Sequence, residues 1–181
     1  MEIIYLVTSN KNKVNEVKKI FDRKIETADL EIREIQSLEV EEVVKEKAKQ
    51  AFEILKKTVI TEDTGLYLDE LNGFPGALIK WVLQTSGRQG ICNLIKDNRT
   101  AVAKCSICFY DGKEMKVFTG KVKGKITEKP RGESSFGWDP VFQPEGYDKT
   151  FAEMSMEEKN KISHRKKALE KLKIYLKRND F

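Results

Sequence analysis

The chain has 181 residues, 39% hydrophobic and 35% charged, with 34 basic and 29 acidic side chains and a net charge of +5. That length suits one domain or two lobes sharing a core, and the regular recurrence of apolar residues excludes a disordered chain. The small basic excess favours an anionic ligand without demanding nucleic acid, and no apolar run reaches the length of a membrane span.

Met1 to Val7 begins as a strand, with no basic region or cleavage signal, so no targeting peptide is read. The apolar run Ile3 to Val7 stops at Thr8-Ser9-Asn10-Lys11-Asn12-Lys13, and Val14, Val17, Ile20 and Phe21 then follow helical spacing. A strand, a polar loop and a helix start place free N–H groups at the positive end of a helix dipole, where anions bind. An ordinary helix cap with solvated lysines accounts for the stretch as well. The loop lacks the glycines of a P-loop. The lookalike from Gly120 to Thr127 has one residue too few between its glycines and sits in a strand-like run.

Residues 25 to 35 read as a second strand. Val40, Val43, Val44, Ala48, Ala51, Phe52 and Leu55 then make one apolar helical stripe. Lys47 falls on that stripe, either snorkelling at its edge or aimed at a buried anion. Glu39 stands just before the helix, where a carboxylate stabilises a helix start.

Thr58 to Leu66 reads as a short β-branched strand closing on Glu62-Asp63-Thr64-Gly65. Neighbouring side chains of a strand point to opposite faces, so one of the two carboxylates can face a cleft. The carboxyl end of a strand borders the ligand crevice in open α/β sheets. Taken alone, the stretch is also an ordinary polar turn. Leu66 to Leu71 reads as a separate strand, and Asn72 to Gly76 as a loop. Leu78 to Leu83 and Ile91 to Ile95 read as helices, with Lys80 and Trp81 lining a groove or facing water. Ala101 to Tyr110 and Glu114 to Val122 form a hairpin around Asp111-Gly112.

Cys105 and Cys108 have zinc-like spacing but no second pair, and His164 is the only histidine. Together with Cys92 they read as buried reduced thiols of a cytoplasmic protein. Phe136-Gly137-Trp138-Asp139-Pro140 is a shaped loop. Its aromatics either sandwich a nucleobase or form a small apolar cluster. Ser155 to Glu158 is a capping box. Ser163 then caps a last helix that turns Leu169, Leu172 and Leu176 inward. His164 and Arg165 in its first turn oppose the helix dipole, which points to a nearby anion or carbonyl, or to a solvated turn.

Five of these stretches occur in the order seen in the inosine triphosphate pyrophosphatase family. They are Thr8-x-Asn10-x-x-Lys13, Glu62-Asp63-Thr64-Gly65-Leu66, Phe74-Pro75-Gly76, Phe136-Gly137-Trp138-Asp139-Pro140, and Glu158-Lys159 leading to Ser163-His164-Arg165. Phe142 to Tyr147 and Thr150 to Met154 resemble the archaeal and eukaryotic members. The resemblance covers nearly the whole chain. It implies an elongated α/β fold of one domain, residues 1–181, with a mixed sheet, flanking helices and a cleft between two lobes. It also implies a homodimer and Mg2+-dependent hydrolysis of ITP, dITP and XTP to monophosphate and pyrophosphate.

Carried over by motif, Thr8, Ser9, Asn10, Lys11, Asn12 and Lys13 bind phosphates. Asp63 is the catalytic acid residue and a metal ligand, with Thr64 beside the substrate. Glu39 is the second metal ligand, and the shortened segment around it leaves Glu41 and Glu42 as alternatives. Phe136, Gly137, Trp138, Asp139, Lys159, His164 and Arg165 hold the nucleotide, and Lys47 and Lys80 match family lysines. Arg165 has donors only, which suits the 6-oxo group of hypoxanthine. Two other readings compete: a Maf-type pyrophosphatase with a different preferred base, and a basic module that binds nucleotides or RNA without turnover. The carboxylates at 39, 62, 63 and 139 disfavour a polyanion groove, so no stable nucleic-acid partner is expected.

Overall fold

The computed structural model describes residues 3–10, 13, 14, 17, 21, 25–133 and 137–179. A mixed sheet runs in the order β2, β1, β3, β5, β6, β7: Ile25–Ala28, Ile4–Val7, Val59–Leu68, Thr100–Tyr110, Met115–Ile126 and Phe142–Pro144, with β4, Pro75–Gly76, pairing with β3. β1 is parallel to both β2 and β3, and the remaining pairings are antiparallel. Four helices whose residues are all described flank it: α1 (Val40–Leu55), α2 (Ile79–Asn93), α3 (Met156–Ile162) and α4 (His164–Arg178).

β3 is the spine. It pairs with β5 from Val59 to Leu68, so the Glu-Asp-Thr-Gly run lies in mid-strand. The expected strand end at residue 62 and the separate strand from Leu66 to Leu71 are therefore both corrected. A polar run tolerates extended geometry here because cross-strand pairing satisfies its backbone. The strand ends at Leu68, and a 3-10 turn, Asp69–Leu71, follows. On its other edge β3 meets β1 at Val59 to Thr61 and β4 at Leu66 and Tyr67. Between these contacts, Glu62 to Gly65 have no strand partner on that side among the described residues.

Helices cover the two faces of the sheet. α1 lays Val44, Ala48 and Ala51 against Val59 and Cys108, as its apolar stripe requires. On the opposite face α4 lays Ala168, Leu169 and Leu172 against Ile60, Cys105 and Ile107. Each such leucine contributes about 1.5–3 kcal/mol by burial. α4 reaches the sheet because Gly120 has no side chain: a Cβ there would lie 2.0 Å from the His164 carbonyl oxygen. Gly65 is likewise a packing glycine, since its Cβ would stand 2.8 Å from the Tyr67 ring and 2.9 Å from the Gly76 backbone.

Other elements differ in extent from expectation. β2 ends at Ala28, and residues 29 to 38 have no regular structure. The segments from Leu78 to Ile95 form one helix broken at Gly87, where φ is 66°. The expected helix from Val14 to Phe21 falls largely outside the described residues, although Val17 and Phe21 are buried in the α4-side core. All three cysteines are free and buried.

Candidate active site

A cleft of about 790 Å3 opens along the unpaired stretch of the β3 edge. Its wall takes Thr8, Ser9, Asn10 and Lys13 from the chain after β1, and Lys47 from α1. Glu62, Asp63 and Thr64 come from β3, Lys80 from α2, Gly137 and Trp138 from the aromatic loop, and Arg165 from α4. Lys11, Asn12 and Phe136 lie outside the described residues. The strand whose carboxyl end borders the crevice is thus β1, which stops at Val7. Its polar continuation is held locally: the Asn10 N–H donates to the Thr8 hydroxyl at 3.1 Å, and the Lys13 N–H to the Asn10 side-chain oxygen at 3.3 Å.

Glu62 and Asp63 take opposite faces of β3, and both reach the cleft because the strand edge between them is open. Glu62 looks toward α4. Arg165 donates to it through Nε at 3.0 Å and Nη2 at 3.2 Å, Lys13 Nζ lies 3.1 Å away, and the Thr64 hydroxyl donates at 3.2 Å. Burial pushes the Glu62 carboxyl up, but Arg165 and Lys13 outweigh it and hold the group well below the usual carboxylate range. Glu62 is therefore the anion that explains a cation in the first turn of α4. Two of Arg165's nitrogens are engaged there, in an ion pair beside the cleft that Arg165 lines.

Asp63 looks toward α1. Its Oδ1 lies 3.8 Å from Lys47 Nζ, and its side chain is 19% exposed. Burial pushes its carboxyl up to about 6, against the pull of Lys47 and Lys13 and with help from Glu34 and Glu62. Burial lowers the Lys13 ammonium, and Glu62 more than offsets that, so it ends above its ordinary value. The site thus joins a fully ion-paired carboxylate to one that titrates near neutrality.

Other expected site residues are not brought to this wall. Glu39 stands at the N-cap of α1, and its carboxylate accepts from Lys104 at 2.8 Å. Lys104 is buried and takes Glu41 as well, at 3.2 Å, while the Ser37 hydroxyl donates to Glu42 at 2.6 Å. A buried ammonium on β5 needs countercharge, and Glu39 and Glu41 supply it. Asp139 and Lys159 form a buried ion pair with each other. His164 packs between Trp138, at 5.5 Å, and Phe151, at 5.9 Å, and its ring nitrogens have no hydrogen-bond partner among the described residues. Burial, then Arg165 and Lys159, hold its pKa well below the ordinary value, so the ring is neutral. Trp138 belongs to this aromatic cluster, edge-on to Phe142 at 5.6 Å, and only part of it meets the cleft.

Sequence reading missed Glu34, which lines the cleft and accepts from Lys47 at 2.8 Å. It lies in an irregular segment where no periodicity marks a direction. Among the described residues no group of three or more His, Cys, Asp or Glu is placed to hold a metal. Mg2+ needs no such cage, since one or two carboxylates plus substrate phosphates and waters suffice. A partly exposed carboxylate at Asp63, on a wall shared with three lysines, is a donor set of that kind.

The Ham1 family model matches residues 4–175. This chain belongs to the Ham1 family. The dITP/XTP pyrophosphatase of Methanopyrus kandleri is 42% identical to it over 186 residues, 99% of this chain and 98% of the relative. The inosine triphosphate pyrophosphatase of Fusarium vanettenii is 43% identical over 180 residues, 96% of each. The solved structure of the Staphylococcus aureus Ham1 protein is 33% identical, with a TM-score of 0.81 over 98% of this chain and 100% of that one. The five-motif resemblance thus led to the right family, and the mixed sheet with flanking helices is the Ham1 architecture.

Proposed function

We propose that this Ham1 chain hydrolyses deaminated purine nucleoside triphosphates, ITP, dITP and XTP, to the monophosphate and pyrophosphate in a Mg2+-dependent reaction. The names of its Ham1 relatives support the substrate class. The observation that carries the chemistry is Asp63, a carboxylate titrating at about 6 in a cleft walled by Lys13, Lys47 and Lys80.

In this reading the lysines and the polar turn from Thr8 to Asn10 take the triphosphate. A water attacks the α-phosphorus, its proton passes to Asp63, and the bond to the bridging oxygen breaks, so that pyrophosphate leaves. Asp63 would also hold the Mg2+, which when bound neutralises phosphate charge and polarises the phosphoryl group. Arg165 and Glu62 keep Lys13 directed at the cleft. His164 is buried and neutral, so no Ser-His-Asp arrangement is needed. We extend the reading to clearance of such nucleotides before polymerases use them, by a single-domain homodimer in the cytoplasm without stable nucleic-acid binding.

Pyrophosphate release from ITP, measured with and without Mg2+, tests it. Release only from nucleotides with other bases points to a Maf-type specificity. Binding without release points to a non-catalytic module.

A further inference from the structure

The broken helix α2 touches the aromatic loop twice, once from each side of its break. Leu83, before the break, lies against Gly137: its Cδ2 is 3.8 Å from the place a Gly137 Cβ would take. Arg88, after the break, donates through Nε to the Gly137 carbonyl at 3.0 Å, across 49 residues of sequence. Gly87 falls between the two, with φ 66° and ψ −174°, a backbone region that essentially only glycine occupies. Among the described residues nothing stands within 4 Å of where its Cβ would be, so this glycine serves the turn of the chain and not packing. That turn re-aims the residue that follows it. Arg88 reaches from a firm footing. Ile91 and Cys92 are buried in the core that also holds Trp138 and Phe142, and the Gln89 amide donates to the Glu128 carbonyl at 3.1 Å. The half before the break turns Lys80 and Leu83, three apart on one side of the helix, toward the cleft.

We propose that Arg88 is a positioning residue for the nucleobase: by holding the Gly137 carbonyl it fixes the Gly137–Trp138 turn against which the purine of the substrate seats. The proposal rests on the nucleotide reading of the cleft and extends it to a residue beyond the cleft wall. Gly137 and Trp138 line the cleft, and Arg88 does not. The guanidinium therefore acts through the loop and is not one more cation for the phosphates. A hydrogen bond from a charged donor is among the stronger kinds, and Gly137, with φ 42°, turns the chain sharply at the point where it is held. The effect belongs to the base end of the site. Asp63, Lys13 and Lys47, which face the triphosphate in this reading, sit on other elements.

The test is Arg88→Met, which keeps most of the stem and removes the donor. The KM for ITP should rise about tenfold, the scale of one hydrogen bond from a charged group, with kcat changed less than about twofold. Calorimetric titration with inorganic pyrophosphate, which has no base, should give the wild-type affinity. Arg88→Lys keeps a charged donor without the directed Nε and should show an intermediate KM. An unchanged KM in Arg88→Met, or a loss confined to kcat, would overturn the proposal. So would equal losses for ITP and pyrophosphate, which would reduce Arg88 to net charge or general structure. Should Arg88→Met fail to fold, Arg88→Lys decides: a raised KM with unchanged pyrophosphate binding upholds the role, and a wild-type KM overturns it. Should the wild type fail to hydrolyse ITP, the nucleotide reading falls, and fluorescence decides whether Arg88 holds the loop. In a Trp81→Phe background Trp138 is the one tryptophan left. Stronger acrylamide quenching after Arg88→Met or Arg88→Lys upholds the hold on the loop, and equal quenching overturns it.

Discussion

The two faces of β3 treat neighbouring carboxylates in opposite ways. On the α4 side Glu62 is saturated by Arg165, Lys13 and Thr64, and it is a charge in every working condition. On the α1 side Asp63 has one cation at 3.8 Å, and burial brings its titration up to about 6. The same residue chemistry therefore serves as an anchor on one face and as a proton acceptor on the other, and the partners supplied by each helix make the difference. A strand is well suited to this, because its alternation separates adjacent side chains while its backbone keeps them in register.

The largest effect tests the acceptor face. Asp63→Asn should lose about 10²–10⁴-fold in kcat while still binding nucleotide. Near-normal kcat at saturating Mg2+ would remove Asp63 from catalysis. The anchor face should instead show in stability. Glu62→Gln leaves the buried Arg165 guanidinium without its carboxylate and should cost about 3–5 kcal/mol in urea unfolding. A cost under about 1 kcal/mol would mean that the comparison between the faces is not one of anchoring.

A smaller effect has the opposite sign. The Asp63 pKa is raised from an ordinary 3.8 to about 6, so this group stabilises the fold fully below 3.8, and that contribution is lost as pH rises through about 6. At neutral pH the ionised group therefore costs stability, at most about 3 kcal/mol, and Asp63→Asn should unfold later than wild type. The gain should shrink as pH falls from 7 toward 4, and kcat/KM of the wild type should fall on the acid side of about 6. A pH-independent difference in unfolding would show that Asp63 is not perturbed. The smallest effect is at the join of the two faces: Lys13→Ala should raise the KM for ITP about tenfold, with little change in thermal stability. Unchanged kinetics would leave Lys13 as a partner of Glu62 alone.

What the sequence revealed was mostly local. The hairpin at Asp111-Gly112, the capping box of Ser155 with Glu158 and the Ser163 cap rest on residues a few positions apart, and each is present. The apolar stripes of α1 and α4 name their buried faces correctly. The cation in the first turn of α4 left an anion, a carbonyl or a solvated turn open, and could not name Glu62, which is 103 residues from Arg165. The partners of Glu39 and His164 were out of reach of the sequence for a related reason. Lys104 and the Trp138–Phe151 cluster claim them, and those claims exist only after the sheet has formed. The length of β3 was misjudged because a polar run reads as a turn until β5 is beside it.

The segment from 29 to 39 is fastened at two points. Gln50 grips Arg33, and the Leu38 carbonyl accepts from both the Tyr67 hydroxyl, at 2.9 Å, and the Ala77 N–H, also at 2.9 Å. The Tyr67 hydroxyl in turn accepts from the Val40 N–H at 3.1 Å, which secures the start of α1 where the Glu39 side chain makes no cap. Strain introduced between residues 34 and 37 therefore stops at these fastenings and does not travel into β3. The two fastenings thus act as a frame that sets where Glu34 stands in the cleft wall.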